Sequence, residues 1–124
     1  MPEPKRSIYE KGLEGESMAE QHLCDKGFQS IARRYRSPYG EIDLVMLDAD
    51  ALVFIEVKSR TRSTLIAAEL AVSSAKQRRI IQTALCYLNE HPEHQNRTIR
   101  FDIVSLAGKD CIEHLPNAFQ GYGW

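Results

Sequence analysis

The chain holds 124 residues, 43% of them apolar, with a formal net charge of −1. That length suits one domain over residues 1–124 with a real core, and no apolar run approaches the ~18 residues that a membrane span needs. A near-neutral balance excludes a polybasic chain that binds polyanions through its bulk field.

Residues 1–6, Met-Pro-Glu-Pro-Lys-Arg, read as a frayed tail. The polar stretch Met1 to Lys11 carries no apolar signal segment. A first helix is expected from Ile8 or Gly12 to Lys26, stopped by Gly27 as a C-terminal cap. Its inner stripe is Leu13, Glu16, Ala19 or Glu20, and Leu23. Glu16 is a charge on an apolar stripe. Phe28 to Arg36 reads as a strand, and Ser37-Pro38-Tyr39-Gly40 as a turn. Residues 61–72 suit a loop and a short helix. A second long helix is expected from a Ser73 or Ser74 cap to a stop before Pro92. Gln77, Ile80, Ile81, Ala84, Leu85 and Leu88 form its inward face. Thr98 to Leu106 reads as a strand with Ile99, Phe101 and Ile103 on one face and Arg100 and Asp102, an ion pair, on the other. Residues 111–115 add an edge strand. His22, His91, His94 and His114 have no metal-ligand spacing and are expected at the surface. Cys24, Cys86 and Cys111 are far apart, which suits buried reduced thiols and a cytoplasmic setting.

The informative segment lies between. Gly-Glu-Ile-Asp-Leu-Val (40–45) and Phe-Ile-Glu-Val-Lys (54–58) are apolar runs interrupted by Glu41, Asp43, Glu56 and Lys58. Charges in such strands are expensive unless paired or bound to an ion. A hairpin closed by a two- or four-residue loop at Asp48-Ala49-Asp50-Ala51 sets Asp43 opposite Glu56 and Glu41 opposite Lys58. Opposed side chains share a face with Cβ atoms about 5 Å apart. One face then carries these four residues with Val45, Leu47, Leu52 and Phe54. The other carries Ile42, Leu44, Met46, Val53, Ile55 and Val57. A Glu-Val-Lys tripeptide alone is most often a solvated strand face. Two acids face to face tilt the balance, because like charges in opposition call for a raised pKa or a bound cation.

An Asp, a dozen residues, then Glu-x-Lys resembles the active-site signature of the PD-(D/E)xK nuclease superfamily, which includes restriction endonucleases and archaeal Holliday-junction resolvases. The likeness widens with Gly15-Glu16, Ala19, Leu23, Gly27, Tyr35-Arg36, Gly40 to Leu44, Phe54 to Lys58, Lys76 to Arg79 and Arg100-Phe101-Asp102. Together they resemble the YraN-like family of small bacterial proteins, from about residue 12 to about residue 119. One departure is the lack of a glycine between Thr61 and Ala68. The resemblance implies an α/β, restriction-endonuclease-like fold: a central mixed β-sheet of four to five strands flanked by two main helices. It also implies that Asp43, Glu56 and Glu16 bind Mg²⁺ or Mn²⁺, and that Lys58 positions water and phosphate.

Charge distribution fits such a reading. Residues 33–79 hold 9 basic and 6 acidic side chains, against a net negative balance on either side. Arg36, Arg60, Arg62, Lys76, Gln77 and Arg79 are the candidate nucleic-acid contacts. For any one of these arginines an ordinary solvated position is an equal reading, and Gln77 fits a helix-end bond to backbone at least as well. No Gly-x-Gly-x-x-Gly, Walker loop or Gly-x-Ser-x-Gly elbow is present, which argues against nucleotide hydrolysis and serine hydrolase chemistry. The expected function is a metal-dependent endonuclease acting on DNA rather than RNA, on branched or structured forms, without membrane attachment. A homodimer suits the cutting of two strands. The alternative is a non-catalytic nucleic-acid-binding module or assembly subunit that keeps the nuclease fold.

Overall fold

The computed structural model describes residues 8–59, 72–107 and 111–120. In chain order the elements are α1 (Ile8–Asp25), β1 (Gln29–Ser37), β2 (Gly40–Asp48), β3 (Ala51–Ser59), α2 (Ser74–Glu90), a 3-10 turn (Pro92–His94), β4 (Thr98–Leu106) and β5 (Ile112–Phe119). The tail over 1–6, and all but the last position of the 61–72 segment, lie outside the described residues.

The five strands form one sheet in the order β1-β2-β3-β4-β5. Only β3 and β4 run parallel; the other neighbours are antiparallel. A parallel pair needs a long crossover, and α2 lies in the one between them. Among the described residues the architecture is α/β, a mixed sheet with two helices, consistent with a restriction-endonuclease-like fold.

Each helix covers its own face. Ala19 and Leu23 of α1 pack with Leu44, Met46, Val53, Ile55, Val104 and Leu106. Ile80, Ile81, Ala84, Tyr87 and Leu88 of α2 pack with Val45, Leu52, Phe54, Phe101 and Ile103. Both helix boundaries follow local chemistry. Gly27, at φ 99°, takes the left-handed position after α1, and its amide reaches the Cys24 carbonyl at 2.9 Å. Ser73 caps α2, its hydroxyl accepting from the Lys76 amide at 3.2 Å.

The β2–β3 hairpin has the expected register, with Leu44 opposite Ile55 and Asp48 opposite Ala51. One face assignment is corrected. Ile42 joins the α2 cluster, whereas Leu44 and Met46 lie against α1. The switch falls at Asp43, opposite the β1 position where Arg34 adopts φ 50°. On β1 the same inversion sends Arg33 toward Glu20 of α1, while Tyr35 meets Tyr87 of α2 edge-on at 5.0 Å.

Other expectations shift too. Leu85 is 49% exposed, and Tyr87 takes the inward place beside Phe54. The histidines are not all superficial. The His114 ring is buried, with Nε2 2.7 Å from Asp102 Oδ2, and His91 stacks on Tyr87 at 4.0 Å. The three cysteines are free and half-buried rather than fully buried. The last strand runs on to Phe119.

Candidate metal centre

The register of β2 and β3 brings Asp43 and Glu56 to one end of the sheet. Ladder pairing stops at Leu44 and Ile55. Beyond it the Asp43 carboxylate takes over, accepting the Val57 amide at 2.8 Å. A side chain thus replaces a backbone acceptor, which satisfies the amide and holds the carboxylate in one orientation.

Glu16 arrives from α1. Gly15 lets the helix come close: a Cβ there would lie 3.2 Å from Leu106 and 3.6 Å from Ser59. Glu16 is therefore buried over the sheet end, and Arg34 Nε donates to it at 2.8 Å. Glu41 reaches the same point from β2. Oxygen atoms of Glu16, Glu41 and Asp43 all lie within 4.8 Å of one another. Glu41 and Lys58, opposed in the expected register, take separate partners. Glu41 instead lies 3.3 Å from Arg36, and Lys58 lies 3.3 Å from Glu56.

Glu56 is buried and held by two ammonium groups, Lys58 and Lys76, the latter at 2.6 Å from the first turn of α2. Asp43 has no such cation within ion-pair distance among the described residues. Burial, and then the charge of Glu56, push its carboxyl up to about 8. Burial, and then Lys76, lower the Lys58 ammonium from its ordinary value. Lys76 is raised despite burial, through Glu56 and Lys58.

Three hard oxygen donors, one of them without a cation of its own, suit a Mg²⁺-like ion. Of the other expected contacts, Arg36 is 70% exposed at the rim and Arg79 is exposed on α2. Gln77 turns away, its amide donating to the Val72 carbonyl at 3.0 Å, a helix-end role. Arg60 and Arg62 lie outside the described residues. Three participants escaped the expected set of ligands and contacts. Glu41 stands opposite Lys58 in the expected register, and its i, i+2 spacing from Asp43 is the signal that places it with the ligands. Arg34 enters the sequence reading only within the count of nine basic residues over 33–79. Ser105, beside Lys58 in the β3–β4 ladder, keeps a buried hydroxyl with no hydrogen-bond partner among the described residues.

Residues 15–106 match the model of a family described as "Uncharacterised protein family UPF0102". A UPF0102 protein of Rhodopseudomonas palustris (strain BisB18) is 44% identical over 117 residues, covering 94% of this chain and 85% of that protein. A UPF0102 protein of Nitrobacter winogradskyi is 41% identical over 113 residues, covering 91% and 94%. One from Synechococcus sp. (strain JA-3-3Ab) is 38% identical over 123 residues, covering 98% and 92%. By sequence across nearly its whole length, this chain belongs to the UPF0102 (YraN-like) family.

Proposed function

We propose that this chain is a metal-dependent endonuclease of the cytoplasm that hydrolyses phosphodiester bonds in DNA, with branched or structured DNA as its substrate. The observation that carries the reading is the meeting of Glu16, Glu41 and Asp43 within 4.8 Å, beside a Glu56 that holds Lys58 at 3.3 Å. Acids placed so closely repel each other, and a divalent cation removes the repulsion.

In this reading Asp43, Glu16 and Glu41 hold Mg²⁺ or Mn²⁺, with Glu56 completing the acidic wall. When bound, such an ion polarises a phosphoryl oxygen and acidifies water. The protein's own part is positioning. Glu56 fixes Lys58 at the mouth of the site. With its ammonium lowered by burial, Lys58 orients the attacking water toward phosphorus and can exchange a proton with it. Lys76, Arg36 and Arg79 contact the phosphate backbone.

The test is a cleavage screen over single-stranded, flapped, forked and four-way DNA with Mg²⁺ and Mn²⁺, beside Asp43→Ala and Lys58→Ala. The expected result is metal-dependent cutting that both variants lose while staying folded. Absence of cutting on every substrate would end the proposal. A second reading, a non-catalytic nucleic-acid-binding module, is favoured by one observation: Glu56 is already neutralised by Lys58 and Lys76. It predicts binding that ignores Mg²⁺ and survives Asp43→Ala.

A further inference from the structure

The first three turns of α2 have an unusual charge pattern. A helix N-terminus favours acidic side chains, yet the first turn has none. From Ser74 to Asn89 the helix carries Lys76, Arg78 and Arg79 and no carboxylate. Such a helix end is electrostatically unfavourable by itself and complementary to a polyanion.

Beside it lies an exposed aromatic. Tyr39, in the β1–β2 turn, is 50% exposed, and Leu85 of α2 is 49% exposed. With Gln82, Cys86 and Asn89 they line an open groove of about 400 Å³. The turn that presents Tyr39 is fastened to α2. The hydroxyls of Ser37 and Thr83 lie 2.8 Å apart, and the Tyr39 amide donates to Ser37 Oγ at 3.1 Å. A Cβ on Gly40 would stand 3.6 Å from Arg79 Cβ, so the guanidinium's helix position adjoins the turn. Two residues beyond Tyr39, Glu41 enters the acidic cluster. Four extended residues from Tyr39 to Asp43 span about 13 Å.

We infer that the Tyr39–Leu85 groove receives an unpaired base of a nucleic-acid strand whose phosphates lie along Arg78 and Arg79. This inference rests on the proposed nuclease reading and narrows its substrate to one with a single-stranded segment. At ~3.4 Å per stacked nucleotide, the base held by Tyr39 is about four nucleotides from the acidic cluster. Aromatic side chains beside cations form the usual platform for single strands, because each base has a face to stack whatever its sequence. The turn backbone is already fastened, so stacking orders only the Tyr39 side chain.

The experiment measures binding of fluorescently labelled oligonucleotides to Asp43→Asn protein, which removes turnover. The probes are a blunt duplex and the same duplex with single-stranded arms of two to eight nucleotides. Binding should tighten as the arm grows and level off near four nucleotides. Adding Tyr39→Ala should weaken arm binding at least five-fold, the lower end for one stacked base. Tyr39→Trp should preserve it, and blunt-duplex binding should not change. Equal binding by Tyr39→Ala overturns the inference. So does a loss of oligomerisation in Tyr39→Ala, seen by sedimentation without loss of arm binding, which would mark the groove as a contact between copies. The two readings fail separately. Cleavage by wild type with no Tyr39 effect removes this inference alone. Tyr39-dependent arm binding with no cleavage removes the nuclease reading alone.

Discussion

The Asp43 carboxylate accepts the Val57 amide at 2.8 Å where the β2–β3 ladder ends. That bond keeps a half-buried acid beside Glu56 in a place where its negative charge is disfavoured. The fold therefore stores unfavourable electrostatics at one point, as functional sites commonly do.

A pH dependence follows for metal-free protein. Asp43 in the folded chain holds its proton up to about 8, whereas its ordinary value is 3.8. Between those values the native state binds one more proton than the unfolded chain, so stability falls as pH rises, by at most about 1.4 kcal/mol per pH unit. The decline ends above the folded value. Asp43→Asn, which keeps shape and needs no proton, should be more stable than wild type at pH 8 and no better at pH 4. Denaturant melts in chelator at the two pH values test this. A wild-type advantage that persists at pH 8 would contradict the assigned strain.

Added metal should reverse the penalty. An ion that binds only the native state stabilises by about 2.7 kcal/mol at a hundred times its Kd. Thermal melts in saturating MgCl₂ or MnCl₂ should show a clear rise for wild type. Glu16→Gln and Glu41→Gln should each lose most of it, whereas Glu93→Gln, an exposed acid of the 3-10 turn, should keep it. Loss in Glu16→Gln without loss in Glu41→Gln would remove Glu41 from the ligand set.

Glu56 predicts an asymmetry between its two lysines. Lys76 Nζ lies at 2.6 Å and Lys58 Nζ at 3.3 Å. Removing the shorter bond should cost more, about 1.5–3 kcal/mol, the range for a hydrogen bond to a charged group. Lys58→Met should cost less in stability while eliminating cleavage. Urea melts of both variants, paired with the cleavage assay, separate the structural lysine from the chemical one.

The hairpin register, both long helices and β4 were legible because each rests on local chemistry: alternation, a serine cap, a glycine stop. What stayed hidden depends on tertiary geometry. Nothing at Arg34 marks a left-handed residue, so the face switch that moves Ile42 to the α2 side left no trace in the pattern. Leu85 looked inward by its type, yet it lies about 100° around the helix from Ala84. Tyr87, about 60° away on the other side, fills the core instead. The acidic site was partly legible for the opposite reason. Its charges break an apolar run, whereas the exchange of partners among Glu41, Arg36, Lys58 and Glu56 depends on where long side chains come to rest.

The middle of β4 carries another buried charge with a different purpose. Asp102 is fully buried and accepts from Arg100 at 2.9 and 3.0 Å and from the Asn117 amide at 2.9 Å. Its carboxylate is also 2.7 Å from His114 Nε2. Burial alone would raise this carboxyl, but the bonds from His114, Arg100 and Asn117 outweigh it and hold the group below its ordinary 3.8. Asp102→Asn should therefore cost about 3 kcal/mol at neutral pH, the scale for breaking a buried charged pair. The wild-type advantage is present above pH 4 and fades below it, the reverse of the Asp43 trend. Equal stability of the two proteins at pH 7 would show that Arg100 and His114 find other partners.

The hairpin turn offers a gain rather than a loss. Ala49 closes the two-residue connection between Asp48 and Ala51 with φ 52°. A Cβ in the left-handed region costs about 1–2 kcal/mol, part of which glycine returns as extra freedom in the unfolded chain. Ala49→Gly should thus stabilise by about 0.5–1 kcal/mol without altering the site, since Ala49 is exposed. Ala51→Gly, at the first ladder pair of β3, should destabilise by a similar amount because glycine weakens a strand. Opposite shifts in urea midpoint, with unchanged slopes, are the expected outcome. A loss in both variants would mean that the turn tolerates alanine without strain.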